Sequence, residues 1–139
     1  MGDIVGKRTL IERKGKPEHD SEYLRVKMEY NLMAMDPGNS REDSLQIIDN
    51  DLPRTFSHDC DFFDESTAEG RSNKATLRNI LQAFTVYRPD IGYVQGMSYL
   101  AGFLLIVNAE FETFVLFSNL ITTSQMMLFY KFDAADIIL

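Results

Sequence analysis

The sequence predicts an all-α fold, a multi-helix bundle within one domain. Three observations carry this expectation. Apolar residues recur at helical spacing through most of the chain, most clearly at Leu77, Ile80, Leu81 and Phe84. No stretch reads as alternating strands joined by hairpin turns. The chain has 139 residues, 45% of them hydrophobic, enough for one real core but not clearly for two.

Charge and cysteine content narrow the function classes. A formal net charge of -7 argues against nucleic acid or an anionic membrane as the main partner. The one cysteine, Cys60, has no partner for an internal disulfide, so a reducing compartment is the simplest reading. The N-terminus lacks the long apolar run of a signal peptide. The apolar run from Met97 to Val107 meets Asn108, Glu110 and Glu112 at once and is too short to span a bilayer. No transmembrane segment is expected, and the run reads as a buried core helix.

Residues 1–20 mix charges with glycines, without a sustained apolar period, and read as an irregular N-terminal segment. Residues 21–35 carry Tyr23, Leu24, Met28, Leu32 and Met35 at helical spacing, with Asp20 or Ser21 as N-cap and a turn at Asp36-Pro37-Gly38-Asn39. Residues 40–52 form a second amphipathic helix with Leu45, Ile48 and Leu52 on one stripe. Pro53 stops it, which leaves Arg54 just past the helix end in an exposed connection. Residues 57–73 read as a long acidic loop. His58, Asp59, Cys60 and Asp61 have no second Cys/His group to complete a soft-ligand site, so no metal is expected.

Residues 74–87 are the clearest helix, with Asn73 as cap. A corner comes next at Tyr87-Arg88-Pro89-Asp90-Ile91-Gly92, because Pro89 bars helix continuation and pushes Arg88 out of the α region. A helix from Tyr93 to Val107 then places Gln95 in its first turn, where backbone N–H groups are unpaired and the dipole is positive. Two readings of Gln95 and Gly96 stay open at this level. The pair suits recognition or water positioning, with glycine admitting another backbone; or Gln95 caps its helix and Gly96 lets a neighbouring helix pack closely. Residues 110–122, 124–130 and 133–139 complete the helical pattern.

Two motifs stand out in this order. Ile48, Asp51 and Arg54 fit IxxDxxR, with Thr55 next, and Tyr93 to Gln95 fit YxQ, with Gly96 and Met97 next. Together with the flanking Leu52-Pro53-Arg54-Thr55-Phe56 and Tyr87-Arg88-Pro89-Asp90, they resemble the TBC domain of Rab GTPase-activating proteins. The resemblance covers about residues 21–139 and implies an irregular TBC-like bundle truncated at both ends. It leaves the Phe-rich faces around Phe103, Phe114 and Phe129 expected to be exposed.

For function, the resemblance implies a GTPase-activating protein acting in vesicle trafficking, not a hydrolase in its own right. Arg54 is the implied arginine finger and Gln95 the implied glutamine finger, inserted in trans into a GTP-bound Rab. The partner carries GTP and Mg2+, and no cofactor of the chain's own is expected. Asp51 is expected to hold the Arg54 guanidinium by a salt bridge. Ile48 is expected beneath the finger helix, and Thr55 is expected to cap the segment after Arg54. Tyr93 either meets the GTPase or fills a core gap, and Arg88 is either a second interface cation or half of a surface salt bridge. Cytoplasmic location with recruitment to vesicle membranes comes from the same resemblance. The alternative is a non-catalytic Rab-binding module on the same scaffold.

Overall fold

A computed structural model describes residues 21–36, 38, 42–56 and 60–123 of the chain. Its longest helix, α3 (Ala68–Tyr87), touches each of the others: α1 (Ser21–Met35), α2 (Glu42–Asp51), α4 (Met97–Val107) and α5 (Glu110–Thr123). The described residues contain no strand, as the all-α expectation requires. None of their helices is long and apolar enough to cross a membrane.

The core is aromatic. Tyr30 of α1 lies 4.9 Å from Phe114, Phe84 of α3 lies 5.1 Å from Phe117, and Tyr23 meets Phe111 edge-on at 5.1 Å. Such ring pairs contribute about 0.5–1.5 kcal/mol each beyond the area they bury. Phe114 is therefore fully buried rather than exposed, whereas Phe103 is 63% exposed. Phe129 and the expected helices over residues 124–139 lie outside the described residues, as do residues 1–20.

α1 has the expected bounds, but of the five residues expected on its apolar stripe only Tyr23 is buried. Tyr23, Val26, Tyr30 and Met33 are buried, while Leu24, Met28, Leu32 and Met35 face outward. The tyrosines go inward because α5 offers acceptors for them. The Tyr30 hydroxyl donates to Glu110 at 2.5 Å and that of Tyr23 to Glu112 at 2.6 Å. Burial, reinforced by Glu110, raises the Tyr30 phenol far above its ordinary pKa.

α3 begins six residues earlier than its apolar period suggests. Thr67 is its N-cap, with Oγ1 accepting from the Gly70 N–H at 2.9 Å. Asn73 lies inside the helix and donates to the Phe62 carbonyl at 2.8 Å. A short 3-10 turn at Asp61–Phe63 occupies part of the expected loop, and the site considered for a metal there falls partly on undescribed residues.

Gly70 makes this packing possible. A Cβ at that position would lie 1.8 Å from the Asp64 carbonyl oxygen, which no side-chain motion relieves. Gly70→Ala is expected to lower unfolding stability by about 2 to 3 kcal/mol through backbone overpacking, measured by denaturant titration. A midpoint equal to that of the unsubstituted protein would mean that α3 and the Asp64 turn separate freely.

Candidate functional site

Asp51, Arg54, Gln95, Gly96 and Tyr99 line one shallow cleft of about 220 Å3. The IxxDxxR and YxQ motifs thus share one place, although some forty residues separate them. A larger cleft of about 390 Å3 near the start of α5 shares none of these residues, and its Tyr23 and Glu112 already bond to each other.

Arg54 is held in a turn rather than trailing into a loop. After α2 ends at Asp51, residues Leu52–Arg54 tighten into one 3-10 turn, with Pro53 at a position where no N–H is needed. Thr55 closes this turn instead of capping the segment after it. Its N–H donates to the Leu52 carbonyl at 3.1 Å, and Oγ1 donates to the Asp51 carbonyl at 2.8 Å. With that proton committed, the Ser98 hydroxyl must be the donor in its 2.7 Å bond to Thr55 Oγ1. Ile48, fully buried in the core, anchors the end of α2 from which the turn departs.

Asp51 joins the two motifs. Only 4% exposed, it accepts from Arg54 Nη2 at 2.9 Å through Oδ1. Its Oδ2 accepts from the Tyr93 hydroxyl at 2.5 Å and from the Gly96 N–H at 2.9 Å. Three donors, one of them a guanidinium, replace the water that a buried carboxylate loses. The Tyr93 hydroxyl accepts in turn from the Ser98 N–H at 3.1 Å, and the Tyr93 N–H donates to Ser44 Oγ at 3.1 Å. Burial first, and the bond to Asp51 second, push the Tyr93 phenol above its usual range, so it stays protonated and able to donate. Tyr93 therefore fills the core and fixes Asp51 at once.

Gln95 lies before α4, not in its first turn. Gly96 takes the N-cap position with φ of +96°, a left-handed value that side chains rarely adopt. A Cβ there would meet nothing within 4 Å, so the glycine serves the backbone angle and the space beside it is open. Gln95 is exposed, and its amide forms no side-chain hydrogen bond among the described residues. The Arg54 side chain is 62% exposed, so two polar groups reach solvent from a firmly bonded base.

Arg88 does not line the cleft. Its guanidinium grips Asp90 through two bonds of 2.9 and 2.7 Å within the corner itself. Hydrogen bonding to Arg88 lowers the Asp90 carboxyl below its ordinary pKa, and Asp90 raises Arg88. Two residues outside the motifs, Tyr99 and Phe56, complete the surroundings of Arg54. The Tyr99 hydroxyl donates to the Arg54 carbonyl at 3.1 Å, and its ring packs against Phe56 at 5.3 Å. Phe56 takes a left-handed φ of 51°, a backbone cost of about 1 to 3 kcal/mol. Its ring is also stacked on Phe63 at 5.7 Å. No local spacing signals the contact of Phe56 with Tyr99, because it joins two distant segments.

Among the described residues no group of His, Cys, Asp or Glu is arranged to hold a metal ion. The cleft presents an always-charged guanidinium and a neutral amide, suited to meeting anionic oxygens and orienting a small polar molecule.

The family model for the Rab-GTPase-TBC domain matches residues 8–138. The chain is 41% identical over 93 residues to TBC1 domain family member 14 of Homo sapiens, covering 67% of this chain and 13% of that protein. It is 39% identical over 93 residues to TBC1 domain family member 12 of Xenopus tropicalis, with the same coverage of 67% and 13%. It is 37% identical over 84 residues to the GTPase-activating protein GYP3 of Saccharomyces cerevisiae, covering 60% of this chain and 13% of that protein. The chain thus spans about 13% of the length of these curated relatives. No solved structure gives a significant match.

Proposed function

The chain belongs to the Rab-GTPase-TBC domain family, and from that premise we propose that it activates GTP hydrolysis by a Rab-family small GTPase. The observation that carries this reading is the juxtaposition of exposed Arg54 and Gln95 across one cleft, on a base locked by Asp51. The partner, in its GTP-bound state, brings the nucleotide and Mg2+; the chain lends two side chains. Phosphoryl transfer to water spreads negative charge over the phosphate oxygens, and Arg54 supplies a cation there through parallel N–H bonds. The Gln95 amide offers a donor and an acceptor, so it orients the attacking water against the γ-phosphate. Delivery to Rab-bearing vesicle membranes is part of the same reading.

The test is single-turnover GTP hydrolysis by a panel of Rab GTPases, each with the unsubstituted protein and with its Gln95→Ala and Arg54→Ala variants. Gln95→Ala is expected to slow the accelerated reaction roughly a hundredfold, the scale for losing one preorganised polar contact to the reacting group. Its exposure predicts an unchanged melt. Binding of a Rab without acceleration would replace this proposal by the non-catalytic Rab-binding module.

A further inference from the structure

We propose that Lys74 is a positioning residue for Arg54, acting through the backbone of the turn that carries it. This rests on the activating role proposed above and extends it to a residue outside both motifs. Asp51 and Lys74 are the buried charged residues among those described, at 4% and 7% exposed. Both grip the same three-residue turn. Lys74, on the core side of α3, donates from Nζ to the Leu52 carbonyl at 2.5 Å. Its nearest carboxylate is Glu65 at 3.7 Å, itself 59% exposed.

Burying an ammonium is costly unless it is well paired, and a methionine of similar length fills the same space without that cost. What the ammonium supplies here is a second donor to one carbonyl. The Leu52 oxygen already accepts the Thr55 N–H, and Lys74 occupies its remaining lone pair. The plane of the Leu52–Pro53 peptide is thereby fixed from α3. The Arg54 carbonyl is fixed from α4 by Tyr99. Arg54 is bracketed on both sides while its side chain stays exposed. Because the turn keeps its Thr55 bond when the ammonium is removed, the fold survives and the aim of Arg54 suffers.

The experiment is a double-mutant cycle in the full chain with a responsive Rab, reading the saturating single-turnover rate and the half-saturating Rab concentration. Lys74→Met is expected to lower the saturating rate about tenfold, within the range that small misplacements produce, without moving the half-saturating concentration. In an Arg54→Ala background the same substitution is expected to change nothing further. Lys74→Arg, which keeps a cationic donor, is expected to restore most of the rate. An equal loss in both backgrounds, no loss in either, or failure of both Lys74 variants to fold would overturn the proposal and leave Lys74 a support of the core. If Arg54→Ala itself leaves the rate unchanged, the activating role fails and this inference with it. If Arg54→Ala slows the reaction and Lys74→Met does not, only the Lys74 inference fails.

Discussion

Arg54→Ala is expected to cut the accelerated hydrolysis by about a thousandfold, on the order of 4 kcal/mol of transition-state stabilisation, with little change in thermal stability. The two halves of that expectation have separate causes. A cation supplied in trans meets charge that develops only in the transition state, so its loss appears in the rate. The stability half comes from exposure. At 62% exposed, the guanidinium is largely solvated, and its ion pair among the described residues is to the buried Asp51, which keeps its bonds from the Tyr93 hydroxyl and the Gly96 N–H when Arg54 is removed. Lysine should not rescue the variant, since an ammonium lacks the planar fork that meets two phosphate oxygens at once. Stopped-flow phosphate release beside a calorimetric melt checks both halves. A large rate loss accompanied by a collapsed melt would move Arg54 from chemistry to structure, and an unchanged rate would remove it from the mechanism.

The salt bridge from Asp51 to Arg54 is legible in the sequence because it is local, at i and i+3. The bonds from Asp51 to Tyr93 and Gly96 are not, because they close over 42 and 45 residues, and one chain read alone gives no signal for such pairing. The same limit explains α1. Its helical period is plain and its bounds match, yet two apolar sets share that period. The period points Leu24, Met28, Leu32 and Met35 inward together with Tyr23, but only Tyr23 is buried, because the two α5 glutamates that accept from Tyr23 and Tyr30 set the rotation of the helix. The start of α3 is hidden for another reason. Residues 68–73 lack an apolar stripe and include a glycine, which lowers helix propensity, but Gly70 is there to let Asp64 approach. Periodicity draws Gln95 into α4 because it does not register the left-handed turn at Gly96 that delays the helix.

Asp51 can be divided into its structural and its positioning parts by two substitutions. Asp51→Ala strands the Tyr93 hydroxyl in a buried place and the Gly96 N–H in a half-buried one, at about 1 to 3 kcal/mol for each unsatisfied donor, and the sum is expected as lost unfolding stability of about 2 to 6 kcal/mol. It also frees Arg54 and unpins the residue next to Gln95, so the rate per folded molecule is expected to fall by at least about a hundredfold. Asp51→Asn has the same shape and keeps one carbonyl oxygen. Turned toward Tyr93 and Gly96, that oxygen preserves both bonds, and the amide NH2 then faces the Arg54 guanidinium, donor against donor. Stability is expected to recover to within about 1 kcal/mol of the unsubstituted protein, because the buried donors are again satisfied. The rate is not, because nothing then holds Arg54. Denaturant titrations and single-turnover rates on the same preparations separate these cases. Recovery of both in Asp51→Asn would mean that Arg54 finds its geometry on the partner GTPase, and that Asp51 contributes only to the fold.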